Sequence, residues 1–366
     1  MPLDNHIFSP EQRFEPQDRR ADYDVTNLVS LGSADSVRRE VRKLFEQTWP
    51  AASFDQVWLA FYDFERLFNG TMPGFEGCDT VYHDIQHSLD MSLCVARLLA
   101  AHDQQADKES ALGPEKATVG MIVALFHDSG YMRSNDDDSV SNGAEYTLWH
   151  IARSAEFLRG YLPTIGMARS LNIATELVHF TGYEKDLDEI ELDDPKDYLL
   201  GHMIGTADLL VQMADRCYLE KCRDRLYPEF VLAGIAIADD PNGDKRVYYQ
   251  SGEDLLRQTP DFYHNIVLNR LNDAFGRVYE QLGTLYNGRN PYMECIERNI
   301  VHLEKIIASG EWLQLRRTAP CFTSLKEPLA TSNSLVNRYL QDLRRSGKEL
   351  LLNPGGSGSQ PAIGLG

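Results

Sequence analysis

One stretch constrains this chain more than any other. Met121-Ile122-Val123-Ala124-Leu125-Phe126 is an unbroken apolar run, and it is closed by His127-Asp128. An apolar run of this length belongs inside the fold, so whatever ends it is drawn inside as well. A desolvated carboxylate is costly unless it is paired or bound to a cation. An imidazole and a carboxylate side by side are natural ligands for a divalent metal. The fold must therefore bring further ligand-type side chains to this point.

The rest of the pattern is helical. Residues 1–33 are rich in Pro, Asp, Arg and Gln and are expected to be irregular, with Ser33-Ala34-Asp35 capping a helix to about residue 48. Helical periodicity continues over 54–68, 83–101, 117–127, 145–161, 168–180, 199–225, 254–282 and 292–308. In 83–101 the apolar stripe is Ile85, Leu89, Leu93, Val95, Leu98 and Leu99. Turn signals fall at Pro73, Gly74 and Gly77, at 134–139, at Asp193-Asp194-Pro195 and at 241–245, and one short strand is expected at 247–249. A charged helix is expected near 335–351, and a flexible tail begins with the Gly/Ser run at 355–359. The expected class is all-α, with one main helical domain over 34–315, an N-terminal segment 1–33 and a C-terminal extension 316–366.

Charge and cysteine usage narrow the function. The formal net charge of −19 argues against general nucleic-acid or anionic-membrane binding, because both depend on basic patches. An anionic small molecule is still accessible where metals or a few Arg and Lys invert the field inside a cleft. The six cysteines are scattered without a CxxC pair, which fits free thiols in a reducing, cytoplasmic setting. The first twenty residues lack an apolar core of the signal-peptide kind, and no uncharged apolar stretch approaches the ~18 residues of a membrane span.

Histidine is scarce, with ten in 366 residues, so its placement is informative. His83 and His87 lie four apart in a helical pattern. His127-Asp128 follows, then His150, then His179 after Leu177-Val178, and finally Asp208 in an otherwise apolar helix. Each lies at or near the apolar face or the end of a different helix, so packed helices can aim them at one centre. The set His87, His127, Asp128, His150, His179 and Asp208 suits two divalent ions of Fe, Mn, Zn, Co or Ni, with Asp128 as the bridge. Two metals sharing a water would lower its pKa and make hydroxide available near neutrality. Asp215, seven residues after Asp208, is either an alternative ligand or a partner for Arg216 or Lys221. Arg133, Lys185 and Arg216 are candidate phosphate contacts, against the alternative of solvated charges. Asp136-Asp137-Asp138 is a solvated loop or a lid. His6, His102, His202, His264 and His302 read as ordinary histidines.

The order His…His-Asp…Asp over about residues 80–220 resembles the HD superfamily of metal-dependent phosphohydrolases. Tyr82-His83-Asp84-Ile85-Gln86-His87 resembles the Tyr-His-Asn-x-x-His string of cyclic nucleotide phosphodiesterases, with Asp84 in place of Asn. Ala207-Asp208 followed by Asp215-Arg216-x-Tyr218 resembles the last motif of HD-GYP domains. Those domains carry Lys soon after the His-Asp pair, where this chain has Ser129-Gly130-Tyr131, and His-His-Gly-Tyr-Pro where it has His179-Phe180-Thr181-Gly182-Tyr183-Glu184. The resemblance implies an HD-type helical bundle, His87 and Asp208 as ligands, and His83 as the general acid that protonates the leaving oxygen. It implies a phosphorylated small-molecule substrate of the nucleotide or cyclic-nucleotide class, with Asp128 central to catalysis. Two other functions are compatible with the same ligand order: a di-iron oxygenase that uses O₂, and a nucleotide-sensing module without turnover. The long striped helices after residue 250 are candidates for a homodimer contact.

Overall fold

Ser33 opens the first helix by accepting the backbone N–H of Ser36 at 3.3 Å. In this computed structural model, which describes residues 19–240, 242, 244–346 and 350–352, helix α1 (Ala34–Thr48) is followed by α2 (Asp55–Phe68), α3 (Ile85–Asp103), α4 (Gly113–Phe126), α5 (His150–Thr164) and α6 (Leu171–Leu177). After these come α7 (Pro195–Ala214), α8 (Tyr218–Lys221), α9 (Tyr227–Leu232), α10 (Gly252–Phe262), α11 (Pro291–Ser309) and α12 (Pro328–Arg345). Three short strands, β1 (Ile237–Asp239), β2 (Lys245–Val247) and β3 (Leu350–Leu352), pair antiparallel (β1/β2) and parallel (β2/β3). The all-α expectation holds at this level. The strand at 245–247 lies two residues before its expected place. Residues 241 and 243 of the expected turn, the first 18 residues of the N-terminal segment with His6, and the tail at 355–359 lie outside the described residues.

Helices α3, α4 and α7 form the centre. Ser88 to Ala101 of α3, Ala117 to Phe126 of α4 and Met203 to Ala214 of α7 are buried on every side. A helix apolar all round is a core helix, and these three pack on one another with α1, α2, α5, α6 and α11 outside them. Close approach needs small residues at the crossings. A Cβ on Gly120 would lie 2.6 Å from Leu200 Cδ1, and one on Gly205 would lie 2.5 Å from both the Phe180 carbonyl oxygen and Phe275 Cζ. Gly205→Ala is therefore expected to lower stability by about 1–3 kcal/mol in a denaturant titration, as overpacking does. An uncrowded helix would respond in the opposite direction, gaining up to ~1 kcal/mol from the same change.

Several helices depart from their expected bounds for local reasons. α3 starts at Ile85 because Asp84 is its N-cap, accepting the Gln86 N–H at 3.0 Å. His83 thus precedes the helix, and the expected i, i+4 pairing of His83 with His87 on one face is corrected. α5 starts only at His150, after a 3₁₀ turn, Gly143–Tyr146, closed by the Asn142/Glu145 capping box. The pattern over 168–180 shrinks to the two turns of α6 between 3₁₀ turns. The long helix expected over 199–225 breaks after Ala214. Asp215 accepts the Cys217 N–H at 2.6 Å and Lys221 at 2.7 Å, while Arg19 and Asn299 take the Ala214 and Met213 carbonyls. The pattern over 254–282 becomes α10, the π turns Tyr263–Val267 and Arg270–Ala274, and a left-handed Arg277.

The hydrophobic core is continuous from Val25, Val29 and Leu31 through to Leu315 and Leu343. Buried Arg97 holds Asp24 at 2.6 Å. Residues 316–324 lie along the loop that leads into α3. Ser324 N–H donates to the Cys78 carbonyl at 2.8 Å, Phe322 N–H to Asp84 Oδ2 at 3.0 Å, and Arg225 to the Ala319 carbonyl at 2.5 Å. Both ends of the described chain therefore pack onto the domain that carries the site. Among the described residues no helix is long and apolar enough to cross a membrane.

Candidate metal centre

Four helices deliver donor atoms to one buried point. His87 lies in the first turn of α3, His127 ends α4, Asp128 follows it, His150 begins α5, and Asp208 sits midway along α7. Donor atoms of His87, His127 and Asp128 lie within 4.8 Å of one another. His87 Nε2 is 3.1 Å from His127 Nε2, 3.2 Å from Asp208 Oδ1 and 3.6 Å from Asp128 Oδ2. His127 Nε2 is 3.3 Å from Asp128 Oδ2 and 3.8 Å from Asp208 Oδ1. On the other side, His150 Nε2 is 3.8 Å from Asp128 Oδ1. The helix starting at His150 is capped from outside by Glu184, which accepts the N–H groups of Ile151 (3.0 Å) and Ala152 (3.1 Å).

The chemistry of this donor set fits a cation. Asp128 is fully buried, and neither of its oxygens has a hydrogen-bond partner; Asp208 Oδ2 and His150 Nε2 are also buried without one. Leaving such groups unsatisfied in the interior costs about 1–3 kcal/mol each, and more when they are charged. The imidazoles are already committed on their outer sides: His127 Nδ1 faces the Ala124 carbonyl at 2.9 Å and His150 Nδ1 the Thr147 carbonyl at 2.7 Å. Those bonds require Nδ1–H, so in the neutral tautomer the Nε2 lone pairs face inward toward carboxylates. Lone pairs and carboxylate oxygens converging in this way need a cation or protons between them. Asp208 Oδ1 is oriented by Gln212 Nε2 at 2.8 Å, and Gln212 Oε1 in turn accepts the Tyr82 hydroxyl at 3.4 Å.

Without metal, a proton fills part of that role. Burial disfavours the His127 imidazolium, but the adjoining Asp128 carboxylate outweighs it and raises His127 to about 9. Burial likewise opposes the Asp128 charge, yet His127 and the neighbouring imidazoles hold its carboxyl well below the ordinary range. Burial dominates at His150 and lowers it to about 4, leaving a neutral donor. A metal must displace the His127 proton, so uptake near neutral pH is expected to release a proton and to strengthen as pH rises toward about 9. Calorimetry of divalent-ion binding in buffers of different ionisation enthalpy reads that proton directly.

His83 stands beside the cluster in a separate arrangement. Its Nδ1 is 2.6 Å from Glu229 Oε2, and Glu229 Oε1 accepts the N–H groups of Val81 (2.6 Å) and Tyr82 (2.7 Å). Burial opposes protonation of His83, but the Glu229 charge and hydrogen bond prevail and its pKa is raised. The ring lies 6.4 Å from that of His87 and 6.3 Å from that of His150, centroid to centroid. The Tyr131 ring packs against both His83 and His150, with centroids 4.5 Å away in each case. The turn after Asp128 approaches α5 so closely that a Cβ on Gly130 would sit 1.9 Å from the His150 carbonyl oxygen. Glu229 and Tyr131 carry no role in the sequence reading. The one available signal for Glu229 was a lone carboxylate inside the apolar string Phe230-Val231-Leu232 and its flanks.

Other expected residues lie elsewhere. His179, which like His150 and Asp208 is not among the three mutually closest donors, is half-buried with a buried, unpartnered Nδ1 and has Glu176 and Lys185 as its charged neighbours. Arg133 is held by Asp79 at 2.9 Å and Glu76 at 2.7 Å, and Lys185 by Glu176 at 2.7 Å, so carboxylates already neutralise both cations. Arg216 is partly buried beside Arg317, and both effects lower its pKa. Asp215 is committed to Lys221. In the acidic loop, Asp137 accepts Ser139 and the Tyr146 hydroxyl. No protein-family model, no curated protein and no solved structure matches this chain.

Proposed function

We propose that this chain is an HD-type metal-dependent hydrolase that cleaves a phosphoester in a small phosphorylated molecule of the nucleotide or cyclic-nucleotide class. The observation that carries the reading is a carboxylate-held imidazole, His83–Glu229, set beside a buried cluster of unsatisfied metal-type donors. His87, His127, Asp128 and Asp208 would hold one divalent ion. Asp128 presents Oδ2 to His87 and His127 and Oδ1 toward His150, so one carboxylate faces both halves of a two-ion donor set. A bound divalent ion supplies Lewis-acid activation of water and of the phosphoryl group near neutral pH.

The protein's own part is positioning and proton supply. Glu229 fixes His83 through Nδ1 and favours the imidazolium, whose Nε2–H, 3.5 Å from the Tyr131 hydroxyl, would be given to the departing alkoxide or phosphate oxygen. Tyr131 packs its ring against both His83 and His150 and so restrains the two imidazoles. The Tyr82–Gln212–Asp208 chain fixes the carboxylate on α7. With a net charge of −19, the acidic chain depends on its bound cations to attract a phosphorylated substrate.

The test is metal analysis of the purified protein, followed by a panel of nucleotides and cyclic nucleotides. The expected result is stoichiometric divalent metal and release of phosphate or nucleoside monophosphate that stops on chelation. Iron with O₂ uptake and no phosphate release would replace this reading with an oxygenase. Tight nucleotide binding without turnover would replace it with a sensor.

A further inference from the structure

We infer that a cleft behind the Ser129-Gly130 turn binds a small amphiphile with an apolar, ring-bearing body and a single anionic head group such as a carboxylate or sulfonate. The cleft has a volume of about 570 Å³ and lies between the C-terminal part of α2, the loop carrying Met72 and Phe75, and the outer face of α5. That is within the ~300–1,000 Å³ usual for small-molecule sites. Its wall is aromatic. Phe75 meets Phe157 edge-on at 5.6 Å, and Phe157 stacks on Tyr161 at 5.7 Å, while Phe75 and Phe157 themselves stay only half-buried. At Gly160 an added Cβ would meet nothing within 4 Å, so α5 leaves this space open.

Two carboxylates, Asp63 and Glu156, and two guanidinium groups, Arg66 and Arg153, line the cleft, and they differ in how they are paired. Asp63 is satisfied by Arg66 and by the Tyr161 hydroxyl, both at 3.1 Å, and Glu156 pairs with Arg159 at 3.1 Å. Arg153 differs. Its guanidinium donates only to carbonyl oxygens, Gly130 at 2.7 Å and Met132 at 3.0 Å, and lies 3.6 Å over the Tyr146 ring. Among the described residues no carboxylate lies within ion-pair distance of it. A geometrically fixed guanidinium with Asp137 as a more distant counter-charge and no carboxylate at ion-pair distance, at the end of an aromatic cleft, suits an anionic head attached to an apolar body. None of the candidate metal ligands lines this cleft, so the proposal stands apart from the hydrolase reading.

The full chain would be titrated with anilinonaphthalene sulfonate and, in parallel, with the uncharged phenyl naphthylamine, by fluorescence and calorimetry. One saturable site is expected, with the sulfonate bound at least about tenfold more tightly. Gly160→Trp, and separately Thr164→Trp, should weaken both probes by about tenfold or more while metal content and melting temperature hold. Arg153→Met should weaken the sulfonate alone by about tenfold, and Arg153→Lys should restore part of its preference. Unchanged sulfonate binding in both tryptophan variants would overturn the proposal. So would an Arg153→Met variant that weakens the charged and uncharged probes equally, because Arg153 would then act only as a brace for the turn.

Discussion

Asp128→Asn is expected to abolish stoichiometric metal binding and to cut turnover at least about a thousandfold, equivalent to roughly 4 kcal/mol of transition-state stabilisation. The substitution conserves shape, so a loss cannot be ascribed to a cavity. It removes the charge that both of the unpartnered Asp128 oxygens carry into a fully buried position. Two measurements separate the metal from the fold. Elemental analysis reads the ion, and thermal melting reads linkage. A ligand present at 100 times its Kd stabilises the native state by about 2.7 kcal/mol, which for a chain of this size is a rise of roughly 3–4 °C. The native chain is expected to show that rise on adding the metal, and the asparagine variant to show none while still melting cooperatively. If Asp128→Asn kept its metal, the metal centre would have to lie elsewhere.

His83→Gln is expected to keep its metal and lose about 10²–10⁴ in kcat. The loss should depend on the leaving group: large for ribose or alkyl phosphoesters, small for a nitrophenyl ester, whose phenolate departs without protonation. The pH profile adds a sign. Because the His83 pKa is raised above 6.5 in the folded chain, the imidazolium persists to higher pH, and its contribution to turnover is complete below that pKa and declines above it. Glu229→Gln removes the anion that opposes desolvation, so burial prevails and the basic limb of kcat moves to lower pH. The same pair contributes to stability below the unfolded pKa of 6.5, and that contribution fades as pH rises through the folded value. A role limited to packing would leave the pH limb and the leaving-group dependence unmoved.

The sequence and the structure agree most closely where a signal is local. The cap at Ser33 is met to the residue because capping involves atoms three positions apart. The buried character of α4 and α7 was legible from apolar runs, and with it the burial of Asp128 and Asp208. Local patterns overreached where a side chain competed with the helix. Asp84 reads as part of a helical face but caps α3, and Asp215 reads as a continuation of the helix but ends α7 as its C-cap, its carboxylate accepting the Cys217 N–H. Periodicity counts apolar positions and is blind to a carboxylate that takes the backbone N–H for itself.

Charged residues show the same division more sharply. Arg133 and Lys185 are cations near the motif in sequence, yet each has a carboxylate partner that no spacing rule identifies. His179 appears in the order of a sixth ligand and sits on a short 3₁₀ turn, while the three mutually closest donors are His87, His127 and Asp128. Glu229 lies 146 residues from the histidine it holds.

From its sequence alone, this chain was bound to be a helical protein with acidic and imidazole donors driven into its interior, because hydrophobic periodicity decides which residues leave water. Which of those donors meet was decided only by the tertiary structure. Convergence of His87, His127, Asp128 and Asp208 depends on how closely α3, α4 and α7 cross, and Gly120, packed against Leu200 of α7 and Leu99 of α3, helps set that distance. The partnership of His83 with Glu229, the stacking of Tyr131 and the hold of Arg153 on the Gly130 carbonyl are likewise contacts between distant segments. Burial is encoded residue by residue, whereas coordination is a property of the packed whole.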